Sequence, residues 1–93
     1  MATETTLWTI EDHLKTHEDR RSYLEAAFED GDPELIATAI GDVARAAGAT
    51  KIARKAGISR ESLYKAFQSG GNPTLANFTS VMKALGLKLQ VSV

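Results

Sequence analysis

The sequence predicts an all-α fold, a bundle of five or six short helices followed by one C-terminal β-strand. Three observations predict it. Apolar residues recur at helical spacing in one segment after another. Capping residues, glycine and proline divide those segments at short intervals. Only the last seven residues, Leu87 to Val93, switch to strict alternation. With 93 residues the chain is read as a single domain, 1–93. At that size folding buries about 60–65% of the unfolded surface, enough for one core but not for a large internal substrate cavity.

Taken in order, residues 1–15 read as an arm and a short helix. Thr9 with Asp12 resembles a capping box that opens a turn of helix through Leu14. Residues 16–48 form an acidic helical pair. Thr16 with Asp19 caps the first helix, whose apolar positions are Tyr23, Leu24, Ala27 and Phe28 and which Gly31 ends. Asp32 and Pro33 start the second as N-cap and first-turn residue, and its apolar face is Leu35, Ile36, Ala39, Ile40, Val43, Ala44 and Ala47 up to Gly48. Thr50 then caps a short helix that turns Ile52, Ala53 and Ala56 inward and stops at Gly57. Ser59 caps a helix from about Arg60 to Gln68, with Leu63, Tyr64 and Phe67 apolar. After the Ser69–Asn72 loop, a last helix (residues 73–85) carries the stripe Leu75, Phe78, Val81, Met82, Leu85, and Gly86 suits a left-handed cap.

In the tail, Leu87, Leu89, Val91 and Val93 alternate with polar residues, as in a half-buried strand. A lone strand leaves its backbone groups unpaired. Thr5–Thr9 is the one other strand-like stretch and is short, so pairing with the same strand of a second copy across a two-fold axis is the expected solution, making these four residues the dimer contact.

The formal net charge of −1 conceals a division. Residues 1–42 hold eleven acids against three bases, and residues 43–93 hold eight bases against Glu61 alone, so the two parts carry −8 and +7. Such halves point to a polyanion as partner of the second and a basic protein as partner of the first. Mutual attraction within one fold would explain the pairing of the halves but not the near-exclusion of acids from residues 43–93.

Residues 50–68 carry the chemistry. Ala53 is small where two short helices cross, Gly57 follows four residues later where the chain turns, and Leu63 follows six residues after that and packs the second helix into the angle. This is helix-turn-helix spacing. With the apolar positions removed, Ser59, Arg60, Glu61, Ser62 and Lys65 remain on the second helix, side chains suited to base edges. Arg60 could bond a guanine bidentately, and Glu61 could accept from a cytosine amino group or orient Arg60. Lys51, Arg54 and Lys55 lie where phosphates would pass. Thr50 and Asn72 or Thr74 mark helix N-termini whose free amides suit phosphate oxygens.

Residues 42–89 resemble lambda-repressor-like (Xre-type) helix-turn-helix proteins, and residues 8–91 are similar to the HigA-type addiction-module antidote family. The resemblance lies in Tyr23-Leu-Glu-Ala-Ala-Phe-Glu-Asp-Gly-Asp-Pro33, Ile40-Gly-Asp-Val-Ala-Arg-Ala-Ala-Gly48, Gly57-Ile-Ser-Arg-Glu-Ser-Leu-Tyr-Lys-Ala-Phe67, and Gly71-Asn-Pro-Thr-Leu75 followed by Lys83-Ala-Leu-Gly-Leu87. It implies an antitoxin that neutralises a RelE/ParE-superfamily toxin and represses its own operon. Thr50 and Lys51 stand where the family leads one to expect serine-glutamine. A homodimer reading two half-sites about 34 Å apart would need a palindromic double-stranded DNA operator. The acidic half is then the surface for a small basic toxin, with Trp8, Ile10, Leu14 and Tyr23 as apolar anchors. Leu14 and Tyr23 fit a core better than an interface, and Trp8 fits a cap on the bundle as well as an anchor.

Other classes fare worse. The absence of cysteine excludes disulfides and thiolate metal sites and suits a reducing cytoplasm. His13 and His17 stand four residues apart, but a Thr16 cap breaks the helix between them, so no metal is expected. No phosphate-binding glycine loop or nucleophile motif is present, so neither enzymatic activity nor a cofactor is expected. No apolar run approaches the roughly 18 residues of a membrane span, and Met1–Leu7 does not read as a secretory signal. A free-standing phage-type repressor shares every DNA feature and lacks only the toxin.

Overall fold

The structure, a computed structural model, describes residues 10–93. A single 3-10 turn, Ile10–His13, precedes five helices: α1 His17–Asp30, α2 Pro33–Ala47, α3 Ala49–Ala56, α4 Arg60–Ala66 and α5 Leu75–Ala84. Local chemistry sets most of their ends. The Thr16 hydroxyl accepts from the Asp19 amide at 3.0 Å, and Asp32, Ser59 and Thr74 make the equivalent caps for α2, α4 and α5. The third helix departs from expectation. Gly48 both ends α2 and begins α3, so Thr50 lies inside the helix and no side chain caps it.

The central element is α2, which packs against the 3-10 turn, α1, α3 and α4, while α5 lies along α3. Its Ile40, Val43 and Ala44 are fully buried, and around them gather Leu14, Leu24, Ile52, Ala53, Leu63, Phe67, Val81, Met82 and Leu85. The approach of α2 to the end of α4 is close enough to require glycine. A Cβ on Gly41 would stand 2.0 Å from the Phe67 carbonyl oxygen. Phe28 and Phe78, with ring centroids 6.4 Å apart, join α1 to α5.

One charged residue sits within this packing. Asp42, 7% exposed, accepts a 2.6 Å hydrogen bond from the Tyr23 hydroxyl and pairs with Arg45, whose Nε donates to Glu11 at 2.9 Å. The cluster fastens the 3-10 turn and α1 to α2. It pushes the Tyr23 hydroxyl up to about 12, chiefly through burial and then through the bond to the Asp42 carboxylate.

Three expectations are corrected. No strand forms among the described residues, and the tail beyond Gly86 runs without regular structure. Leu87 turns back onto the core, its amide bonded to the Met82 carbonyl, whereas Leu89, Val91 and Val93 are 47%, 98% and 128% exposed. Alternation supplies one apolar edge, and no second strand among the described residues pairs the backbone of Leu87, Leu89, Val91 and Val93. Leu75, expected in the α5 stripe, is 76% exposed because it opens the helix at a corner. The fourth helix closes at Ala66 because Phe67 leaves helical geometry to enter the core. The short Thr9–Leu14 helix is the 3-10 turn, and Thr9, Trp8 and the Thr5–Thr9 stretch lie outside the described residues.

Candidate nucleic-acid interface

The candidate interface comprises α3, α4 and the loop that follows. The chain leaves α3 through Gly57, whose φ of 78° is the left-handed conformation that glycine adopts without strain, and the Ile58 amide closes back on the Ala53 carbonyl. Ala53 and Leu63, 2% and 1% exposed, fill the angle between the helices. The pair is compatible with a helix-turn-helix-like bundle. Burying one face of each short helix leaves the opposite face to solvent, and the sequence sets polar residues there.

All the residues expected to touch DNA are exposed. Thr50, Lys51, Arg54 and Lys55 are exposed on α3. Ser59, Arg60, Glu61, Ser62 and Lys65 are exposed on α4 and its cap, and Asn72 and Thr74 precede α5. Lys51, Arg54, Lys55 and Lys65 make no ion pair among the described residues. Because Gly48 offers no side chain, the first-turn amides of α3 also lack a side-chain acceptor. Phosphate oxygens suit such amides, which carry the positive end of the helix dipole.

Two parts of the site escaped the sequence. A hollow of about 320 Å³ flanks α4, lined by Ser62, Lys65, Gly70, Asn72 and also Asn77, whose place one turn into α5 gave no signal. The second is Tyr64. The Arg60 guanidinium carbon lies 5.2 Å from the centre of the Tyr64 ring, and its NH2 donates to the Tyr64 hydroxyl at 3.3 Å. Glu61 does not hold Arg60. The i, i+4 spacing of Arg60 and Tyr64 is the signal that could have revealed this pair. Ser59 acts locally, its hydroxyl accepting from the Ser62 amide at 2.9 Å and bonded to the Ser62 hydroxyl.

The expected toxin anchors separate. Leu14, 2% exposed, belongs to the core and offers a partner no surface. Tyr23 is half-buried with its hydroxyl committed to Asp42. Ile10 is half-buried at the edge of the core, and Trp8 lies outside the described residues. What α1 and the start of α2 do present is carboxylate: Glu18, Asp19, Glu25, Glu29, Asp30, Asp32 and Glu34 are all exposed. Arg21 offsets part of this charge through Glu18 at 3.0 Å and Glu25 at 3.6 Å. No helix among the described residues is long and apolar enough to cross a membrane.

A family model described as "Probable addiction module antidote protein" matches residues 4–93. An uncharacterized protein of Haemophilus influenzae is 49% identical over 82 residues, covering 88% of this chain and 84% of its own. No solved structure matches the chain.

Proposed function

The chain belongs to the family of probable addiction module antidote proteins, and from that premise we propose that it is the antitoxin of a type II toxin–antitoxin module. In this reading it neutralises a small, basic toxin of the RelE/ParE superfamily and represses its own operon as a cytoplasmic homodimer, without enzymatic activity. The helix-turn-helix is of the lambda-repressor type. The observation that supports the DNA-binding part is the exposed polar surface of α3 and α4, whose lysines and Arg54 make no ion pair among the described residues. Lys51, Arg54 and Lys55 neutralise phosphates. Arg60, Glu61 and Lys65 face base edges from α4, which makes α4 the recognition helix. The toxin meets the acidic surface of α1 and the start of α2, where opposite charge raises the association rate.

Co-expression with the adjacent gene products, purification through a tag on this chain and mass spectrometry test the proposal. A stoichiometric small basic protein that loses its toxicity in the complex is the expected result. Recovery of the chain without such a protein, while it still binds its own promoter duplex with steep salt dependence, would replace the antitoxin reading with a free-standing repressor. Promoter binding insensitive to salt would remove the DNA reading.

A further inference from the structure

We propose that Tyr64 is a specificity-determining positioning residue that holds the Arg60 guanidinium as a preset fork for a guanine edge. This rests on the reading of α4 as the recognition helix.

The two residues stand one turn apart on the same flank of α4, Arg60 at its first position. The guanidinium lies over the tyrosine ring at 5.2 Å, inside the roughly 6 Å range of a cation–π contact. Its second anchor is the 3.3 Å bond to the hydroxyl. Tyr64 is half-buried and packs against the core, while Arg60 is exposed. The ring is therefore the fixed partner, and the guanidinium is the group being placed. No carboxylate among the described residues lies within ion-pair distance of Arg60.

The choice of an aromatic partner has a chemical consequence. A carboxylate would take the guanidinium fork bidentately, compete with guanine for the same donors and repel the DNA backbone. A ring face holds the cation while leaving most of its five N–H donors free. An arginine with no partner would keep the rotamer freedom of its long side chain and lose it on binding. It would also engage phosphates as readily as bases. Stacking on Tyr64 reduces both losses and biases Arg60 toward base reading. Glu61 points about 100° further around the helix and is left free for its own contact.

The test uses the full chain and its Tyr64→Phe, Tyr64→Leu and Arg60→Lys variants. The DNA probes are the duplex most enriched by the wild type from a randomised library and the same duplex with the guanine sensitive to Arg60→Lys replaced by adenine. In Tyr64→Leu, discrimination between the two should fall about two- to fivefold, the worth of an exposed cation–π contact. The salt slope should not change, because no charge is removed. Tyr64→Phe keeps the ring and should retain most of the discrimination. In the Arg60→Lys background, Tyr64→Leu should have no further effect on discrimination. Independently of DNA, the Arg60 Nε–H resonance of the free wild type should show a ring-current shift that Tyr64→Leu abolishes. The proposal is overturned by an unshifted resonance in the wild type, by unchanged discrimination in Tyr64→Leu, or by equal weakening on both duplexes, which would make Tyr64 a backbone contact. Failure of the recognition-helix reading looks different: the wild type itself would enrich no duplex, and the proposal would fall with it.

Discussion

The acidic and basic parts of the molecule handle their charges differently. On α1, Arg21 sits between Glu18 and Glu25, and deeper in, Asp42 is held by Tyr23 and Arg45. On α3 and α4, the lysines and Arg54 are exposed with no ion-pair partner among the described residues. Ion pairs between the two parts, among the described residues, are those of Arg45 with Glu11 and Asp42. The opposite halves of the sequence therefore do not neutralise each other in the fold. Mutual attraction explains one internal clamp, and most of the remaining charge is exposed, with Lys88 of the basic part lining the same hollow as Glu25 of α1. Two outward fields of opposite sign suit two partners better than they suit one scaffold.

The largest expected effect breaks this comparison directly. Replacing Lys51, Arg54, Lys55 and Lys65 with glutamine should lower the slope of log affinity against log salt by about 3–4 for promoter DNA. Replacing Glu18, Asp19, Glu25 and Glu29 with glutamine should leave that slope within about 1 of the wild type and instead slow association with a basic toxin. Titration by fluorescence anisotropy at several salt concentrations checks the first, and stopped-flow mixing checks the second. If both sets of changes moved the DNA slope equally, the division into two fields would be wrong.

The next effect concerns what holds the basic face in place. Gly41→Ala should destabilise the fold by about 3 kcal/mol, the upper end of over-packing, because the new Cβ meets the Phe67 carbonyl at 2.0 Å and that oxygen is backbone. A domain of this size has only about 5–14 kcal/mol to lose. Urea denaturation would show it as a lower midpoint at unchanged slope. Since α4 packs on α2 as well as on α3, DNA binding should weaken along with stability.

Gly41 also shows what could and could not be read in advance. Thr16, Asp32, Ser59 and Thr74 cap helices using amides two or three residues away, so the sequence carries both partners within one turn. The same holds for Gly57 and the angle filled by Ala53 and Leu63. Gly41 is fixed by Phe67, which is distant in sequence, and nothing local marks it. Asp42 looks like helix-surface charge until the fold brings up Tyr23. Thr50 has the chemistry of a cap, but a one-residue junction at Gly48 leaves it inside the helix. In the site, the exposed polar positions of α3 and α4 were legible because subtracting a helical apolar stripe leaves them. The Tyr64 ring is not legible in the sequence because an aromatic residue at helical spacing reads as core, whereas Tyr64 is only half-buried.

The internal clamp gives a smaller effect with a definite pH signature. Tyr23→Phe should cost about 1–2 kcal/mol near neutral pH, the loss of a hydrogen bond to a charged acceptor partly offset by Arg45. The tyrosine hydroxyl has an ordinary value of 10.0 and is held at about 12 in the fold. Below the first value it is protonated in both states and its contribution to stability is complete. As pH rises from there toward the second, the unfolded chain releases the proton while the folded chain keeps it, so stability falls, and above the second value the contribution is gone. Urea midpoints across that alkaline window should therefore decline more steeply in the wild type than in Tyr23→Phe. Parallel declines would show that the Tyr23–Asp42 bond does not form.

The smallest effect tests the tail, which belongs to neither field. Val91 is 98% exposed and has no regular backbone pairing around it. Val91→Lys should change stability by no more than about 0.5 kcal/mol, as surface substitutions do. It should also leave the oligomeric state in sedimentation velocity unchanged. A strand paired antiparallel with the same strand of a second copy would respond quite differently. Two added lysines would face each other near the two-fold axis, and like charges across a strand pair destabilise it. The alternation of Leu87 to Val93 has a simpler physical account. Leu87 is drawn onto the core by the turn at Gly86, and the apolar residues after it have no surface within the chain to cover. An unchanged sedimentation coefficient would separate the apolar pattern of this tail from assembly.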